Sequence, residues 1–281
     1  MSPPPKPIEP GLYVVSTPIG NLRDITLRAL DVLAAANRVF AEDTRVAAKL
    51  LSAHGLSNKL EPYHDHNGEF ARPRVLEALA RGERVALISD AGTPLISDPG
   101  YKLVREVVAA GFPVIPIPGP SSVLAAVTIA GLPTDRFLFA GFPPPKTAGR
   151  RRLFSELAEV RTTLVFFESG PRLSASLGDM AAVFGPREAA VARELTKLYE
   201  SCVRGCLDAL AADPALMALK GEIVVVVGPG EAQTAQPEEA DAVLVEALTR
   251  LSPGEAASEA ARRLGLPRRE LYRRAVELKT P

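Results

Sequence analysis

The sequence predicts an α/β protein with two α/β domains and a small C-terminal helical domain that reads as a helix-turn-helix. Two observations lead there. From Gly11 onward, short apolar runs rich in β-branched residues alternate with segments whose apolar residues recur at helical spacing. Past residue 240 the strand-like runs stop and three helical patterns follow one another. Length agrees, because 281 residues exceed one average domain and suffice for two cores.

Each element has a local reason. Residues 1–10, with Pro at five positions, read as a disordered tail. The first domain, 11–134, opens with a strand at 12–15 and the turn Ser16-Thr17-Pro18-Ile19-Gly20-Asn21. Ile25, Leu27, Leu30 and Leu33 share a helical face, 39–41 is a short strand, and 44–54 is a helix that Gly55 terminates. Another helix covers 69–80. The apolar run at 85–88 suits a buried parallel strand, after which Asp98 before Pro99 reads as a helix cap and Gly111 as its stop. A strand at 114–117 leads into Gly119-Pro120-Ser121-Ser122, a helix start closed by Gly131 and Pro133.

The second domain, 135–231, carries apolar runs at 137–142, 163–167, 189–192 and 222–227. Residues 232–239 read as a linker. The helical domain, 240–281, holds patterns at 244–251, 254–264 and 267–278, with Gly265-Leu266-Pro267 as a tight break. Its segment 260–281 has seven Lys or Arg against two Glu, so Arg268, Arg269, Arg273 and Arg274 around the last helix can meet phosphates.

Composition excludes several classes. Hydrophobic residues at 47% and charged residues at 23%, with 33 basic and 33 acidic side chains, describe a globular protein that can hold nucleic acid only through a local patch. No apolar run approaches the ~18 residues of a membrane span, and the Pro-rich start lacks the core of a signal peptide. Cys202 and Cys206 have no histidines nearby, so a zinc set is not expected and a reducing cytoplasm is the simplest setting.

The loops after strands carry the chemistry. Neither Gly-x-Gly-x-x-Gly nor Gly-x-x-x-x-Gly-Lys-Ser/Thr occurs, so phosphate cradling is not the theme. In Ser89-Asp90-Ala91-Gly92-Thr93-Pro94, Gly92 lets backbone approach a ligand and Asp90 favours a cationic or zwitterionic guest over a pyrophosphate. With Pro18-Ile19-Gly20 and Gly119-Pro120-Ser121-Ser122 this loop can enclose a heterocycle with a polar tail, as a nucleoside cofactor has.

Five motifs in consistent order resemble the tetrapyrrole methylase family, in its branch that methylates small-subunit ribosomal RNA. They are residues 16–26, Ala41-Glu42-Asp43-Thr44-Arg45, Ser89-Asp90-Ala91-Gly92-Thr93-Pro94, Pro118-Gly119-Pro120-Ser121-Ser122 and Phe166-Phe167-Glu168-Ser169. The similarity runs from about Gly11 to Gly228, and the C-terminal helices are similar to an appendage of that branch. Segments 141–146 and 169–172 each depart from its pattern by one residue.

The resemblance implies two α/β domains with a cofactor cleft between them, S-adenosylmethionine as methyl donor, a homodimer, and 2′-O-methylation of a cytidine ribose in 16S ribosomal RNA. Carried over by position, it places Ile19, Asp90, Gly92, Thr93, Pro94, Ser122, Val123, Phe167 and Ala192 at the cofactor. Two other readings remain open: the same fold acting on a tetrapyrrole, or a nucleic-acid-binding regulator that senses a nucleoside.

A ribose hydroxyl is a weak nucleophile, so a general base helps. Asp43, Glu42 and Lys197 are the leading candidates, with His64, His66 and Glu168 behind them and a helix cap as the alternative role of Asp43. Lys146, Arg150, Arg151, Arg152 and Arg172, on segments near the expected cleft, are read as RNA contacts together with Arg268, Arg269 and Arg273. No metal is expected, since His64 and His66 lack a third ligand in the sequence.

Overall fold

The computed structural model describes residues 7–64, 67–230, 237–264 and 266–279. The chain divides into two compact units, one ending at Pro229 and one beginning at Gly230. Both expected α/β domains fall inside the first unit, each built on its own five-stranded sheet.

The first sheet is formed by β1 (Gly11–Val15), β2 (Arg38–Ala41), β3 (Leu60–Pro62), β4 (Arg84–Ile88) and β5 (Val114–Ile117), in the order β3-β2-β4-β1-β5. Every pairing is parallel. Parallel strands need crossovers, here supplied by α1 (Leu27–Ala35), α2 (Thr44–Ala53), α3 (Gly68–Ala80) and α4 (Tyr101–Ala109). Helices cover both faces, so β4 is apolar without alternation and Val85 to Ile88 are all buried. Val15, Ala86 and Ile88 pack towards α1 and α2, while Leu12, Val85 and Leu87 join Val75 of α3 and Leu103 of α4. The chain leaves β1 towards β2 and leaves β4 towards β5, in opposite directions along the sheet. A crevice opens at such a reversal, beyond the carboxyl ends of β1 and β4.

After α5 (Ser122–Ala130), capped by the Ser121 hydroxyl, the second sheet begins. Its strands are β6 (Phe137–Phe139), β7 (Thr163–Ser169), β8 (Glu188–Arg193), β9 (Ser201–Cys206) and β10 (Glu222–Val227), ordered β6-β7-β10-β8-β9. Only β6 and β7 pair in parallel. On one face Phe154 of α6 (Thr147–Ala158) and Leu177 and Met180 of α7 (Gly170–Phe184) pack on Leu164, Phe166 and Val225. Two short helices, α8 (Leu207–Ala212) and α9 (Pro214–Met217), close that layer with Leu207, Leu210 and Leu216. The other face meets α5: Ala126 and Val127 pack on Val165, Ala190, Val224 and Val226, and Ile19 joins them from the first sheet's loop.

The second unit contains α10 (Pro237–Leu248), α11 (Pro253–Leu264) and α12 (Arg268–Lys279). Leu244, Ala257, Ala260, Leu271 and Ala275 form its core, the alanines permitting close helix approach. The first helix begins at Pro237, inside the expected linker, and ends at Leu248 rather than 251. Strands β3 and β9 have no counterpart among the sequence expectations, because three residues and a Gly-containing segment show no clear period-2 signal.

Candidate active site

Three turns of the first sheet are stitched together beyond the ends of β1, β4 and β5. Thr17 and Gly92 exchange backbone hydrogen bonds at 2.8 and 3.1 Å. The hydroxyls of Ser16 and Thr93 lie 3.0 Å apart, and that of Thr93 reaches the Pro120 carbonyl at 3.3 Å. Gly119 runs so close to Ser16 that an added Cβ would lie 2.8 Å from the serine Cβ.

The turn after β1 also touches the second sheet. The Asn21 N–H donates to Thr196 Oγ1 at 3.0 Å, and a Cβ on Gly20 would lie 2.5 Å from Lys197 Cγ. The loop after β8 is held there by Lys197, whose ammonium donates to Glu194 Oε1 and Glu222 Oε2, each at 3.0 Å. Glu194 Oε1 accepts the Glu222 N–H as well.

A cavity of about 330 Å³ lies where these elements converge. Such a volume falls at the lower end for small-molecule sites. The first sheet contributes Ile19, Ala91 to Thr93, Ile96 to Asp98 and Ser121 to Val123. The second contributes Phe142, Phe167 to Ser169, Ala192, Leu195 and Gly221 to Val224. Apolar walls alternate with hydroxyls, backbone groups and the carboxylates of Asp98, Glu168 and Glu222, and no Lys, Arg or His lines it among the described residues.

Of the sequence-derived cofactor residues, Ile19, Gly92, Thr93, Ser122, Val123, Phe167 and Ala192 line this cavity, whereas Asp90 and Pro94 do not. Asp90 is exposed and its Oδ1 accepts the Asp43 N–H at 3.0 Å, tying the β4 loop to the β2 loop. Asp98 corrects the reading as a helix cap. Helix α4 starts at Tyr101 after Gly100, whose φ of 139° no capping side chain accompanies, and Asp98 instead faces the cavity. Burial pushes its carboxyl above the usual range, the Ser89 hydroxyl works against that shift, and Asp90 adds to it.

The three leading base candidates lie outside the cavity lining. Asp43 caps α2 and forms a 2.6 Å ion pair with Arg45, whose guanidinium and amide hold its carboxyl far below the usual range. Lys197 is locked between two carboxylates: burial lowers its affinity for a proton, but Glu222 and Glu194 outweigh that and raise it, the wrong direction for a base. Glu42 is half-buried at the same strand end as Asp43. Glu168 does line the cavity, 2% exposed, with Oε1 accepting the Ser169 N–H at 2.9 Å, Oε2 accepting the Ser176 hydroxyl, and Arg172 beside it at 3.2 Å. His64 lies outside the cavity lining, and His66 lies outside the described residues.

Arg150 is a second correction. It is 3% exposed and donates to Asp179 at 2.7 Å and to the Pro145 carbonyl at 3.1 Å, so it braces α6 against α7 and cannot reach RNA. Arg151 shares Asp179 from outside, and Arg172 donates to the Pro143 carbonyl. Lys146 and Arg152 are exposed on α6 and its approach, Arg152 pairing with Glu156. In the second unit Arg268, Arg269 and Arg273 are exposed, with Arg268 donating to the Ser258 hydroxyl.

The model for tetrapyrrole (corrin/porphyrin) methylases matches residues 11–211, and that for the RsmI C-terminal HTH domain matches residues 234–279. The chain belongs to the tetrapyrrole methylase family. Within this family it is 52% identical to the ribosomal RNA small subunit methyltransferase I of Mesorhizobium japonicum, over 98% of this chain and 95% of that one. Proteins of the same name from Erythrobacter litoralis and Escherichia coli O157:H7 are 49% and 44% identical, over 98% and 95% of this chain and 98% and 94% of theirs. The family fold is also seen in the crystal structure of uroporphyrin-III-C-methyltransferase from Thermus thermophilus, with a TM-score of 0.56 and 24% identity over 77% of this chain and 93% of that one.

Proposed function

We propose that this chain methylates small-subunit ribosomal RNA, transferring a methyl group from S-adenosylmethionine to the 2′-oxygen of a cytidine ribose in 16S RNA. The observation that carries the RNA substrate is the near full-length match to proteins named for it, C-terminal helical unit included. The likeness to tetrapyrrole-modifying enzymes lies below 25% identity and speaks for the fold alone.

The cavity's donor set suits the proposed cofactor. S-adenosylmethionine supplies a methyl group already activated by a positively charged sulfur. No basic side chain lines the cavity among the described residues, so nothing in its wall repels a guest that carries a sulfonium and an ammonium. Ile19, Val123, Phe167, Leu195 and Val224 offer apolar walls for a heterocycle, and Thr93, Ser121 and Ser122 offer hydroxyls. Catalysis then rests mainly on alignment, which can supply roughly 7–11 kcal/mol in favourable cases.

Lys146, Arg152, Arg268, Arg269 and Arg273 are proposed to hold phosphate or stack on unpaired bases. A homodimer in the cytoplasm completes the reading, and the exposed Leu198 and Tyr199 beyond β8 offer apolar surface for self-association. Incubation with methyl-labelled cofactor and either small ribosomal subunits or tetrapyrrole precursors tests the proposal. Label in the RNA supports it, and label in the tetrapyrrole alone overturns it.

A further inference from the structure

We infer that Asp98 is the proton acceptor for the ribose hydroxyl, a role that rests on the methyl-transfer reading above. The lining of the cavity leaves few groups able to take a proton. Three carboxylates border it. Both oxygens of Glu168 already accept hydrogen bonds, from the Ser169 amide and the Ser176 hydroxyl, and Arg172 stands against it. Glu222 has a side chain 75% exposed, and Lys197 donates to its Oε2 at 3.0 Å. Asp98 is half-buried and takes part in no ion pair among the described residues, and the nearby Ser89 hydroxyl offsets only part of the upward pull of burial on its carboxyl.

The loop that presents Asp98 is built under strain. Leu95 and Ser97 adopt left-handed φ of 74° and 62°, conformations that L-residues with side chains rarely take. Gly100, at φ 139°, lies where a Cβ would meet Leu95 Cδ1 at 2.9 Å, so the loop folds back on itself over β4. A simple strand-to-helix turn needs none of this. The contortion brings Ile96, Ser97 and Asp98 into the cavity wall and delays α4 until Tyr101.

The surrounding charges suit a base. Asp90 faces Asp98 from its own loop, Glu168 and Glu222 belong to the wall from β7 and β10, α5 presents only serine hydroxyls, and Tyr101 and Lys102 open α4 with exposed side chains. Burial and the Asp90 charge raise the carboxyl's proton affinity, the direction in which a general base gains strength. In the step, the hydroxyl proton passes to an Asp98 carboxylate oxygen as the ribose oxygen–carbon bond forms. The carbon–sulfur bond breaks with its electron pair retained on sulfur, and the proton then leaves Asp98 to solvent.

The test compares Asp98→Asn and Asp98→Glu with the unaltered chain. The readouts are S-adenosylhomocysteine affinity by calorimetry, the Asp98 carboxyl titration by NMR in the free protein, and single-turnover methyl transfer to small subunits across pH. The expected result for Asn is affinity within about threefold and a transfer rate lower by about 10²–10⁴-fold, with the acidic limb of the pH profile lost. Glu restores part of the rate and the limb. A titration in the free protein that coincides with the limb supports the assignment. Transfer by Asp98→Asn within threefold of the unaltered chain overturns it, as does loss of S-adenosylhomocysteine affinity matching the loss of rate, which assigns Asp98 to the cofactor's ammonium. Absence of ribose methylation by the unaltered chain instead refutes the functional reading itself.

Discussion

Asp179→Ala tests the conclusion that Arg150 belongs to the core. Arg150 and Asp179 are 3% and 4% exposed, joined by a 2.7 Å hydrogen bond between helices α6 and α7. Removing one partner of a buried pair strands the other charge, at a cost of about 3–5 kcal/mol. Arg150 keeps the Pro145 carbonyl at 3.1 Å, the Thr147 hydroxyl at 3.3 Å and the Ala175 carbonyl at 3.4 Å, which places the expected cost near the lower end of that span. Arg151 also loses a partner, but it is half-exposed and adds little. For a unit of this size about 3 kcal/mol corresponds to a fall in Tm of roughly 6–12 °C. Circular dichroism melts of Asp179→Ala and Arg152→Ala side by side measure it, because the Arg152–Glu156 pair is exposed and worth about 0.3–0.5 kcal/mol. Equal and small shifts in the two variants refute the assignment of Arg150 to the core.

Four further outcomes are expected. Gly170→Ala drives a Cβ into the Leu219 carbonyl oxygen, so backbone must move and denaturant titration should show a loss of about 1–3 kcal/mol. Thr93→Ala removes the hydroxyl linking Ser16 and Pro120, and calorimetry should find S-adenosylhomocysteine bound about tenfold more weakly, or about 1.4 kcal/mol. Joint replacement of Arg268, Arg269 and Arg273 by Glu should weaken RNA binding and flatten its salt dependence by about 0.9 for each phosphate left unneutralised, with cofactor affinity unchanged. Asp98→Asn should raise Tm at neutral pH. Burial places the folded carboxyl above its unfolded value of 3.8, so its contribution favours folding in acid and is lost as pH rises through the folded value. Melts over pH should therefore show the advantage of Asn shrinking towards acid.

The legible parts of the sequence were those where local chemistry and tertiary environment agree. The runs of β1, β4 and β10 are apolar because both their faces are covered, and the serine and glycine punctuation around α5 marks its cap and its left-handed end. The first sheet's share of the cavity was readable because Ile19, Gly92, Thr93, Ser122 and Val123 sit in turns directly after strands. Residues 221–224 were not, since the start of β10 looks like any core strand and meets the cavity only through its place between β7 and β8. Asp98 carries a strong local cap pattern before Pro99, and the left-handed residues beside it override that pattern. Arg150 sits among other basic residues, while its partner Asp179 is 29 residues away on another helix. Charge alone could not separate it from Arg152.

Ribose methylation of small-subunit RNA is read out by mass-spectrometric mapping of 16S RNA. RNA from cells lacking this chain is compared with RNA from cells in which it is restored. One 2′-O-methylcytidine should disappear without the chain and return with it. An identical set of ribose methylations in both samples would mean that the chain does not methylate ribose in this RNA.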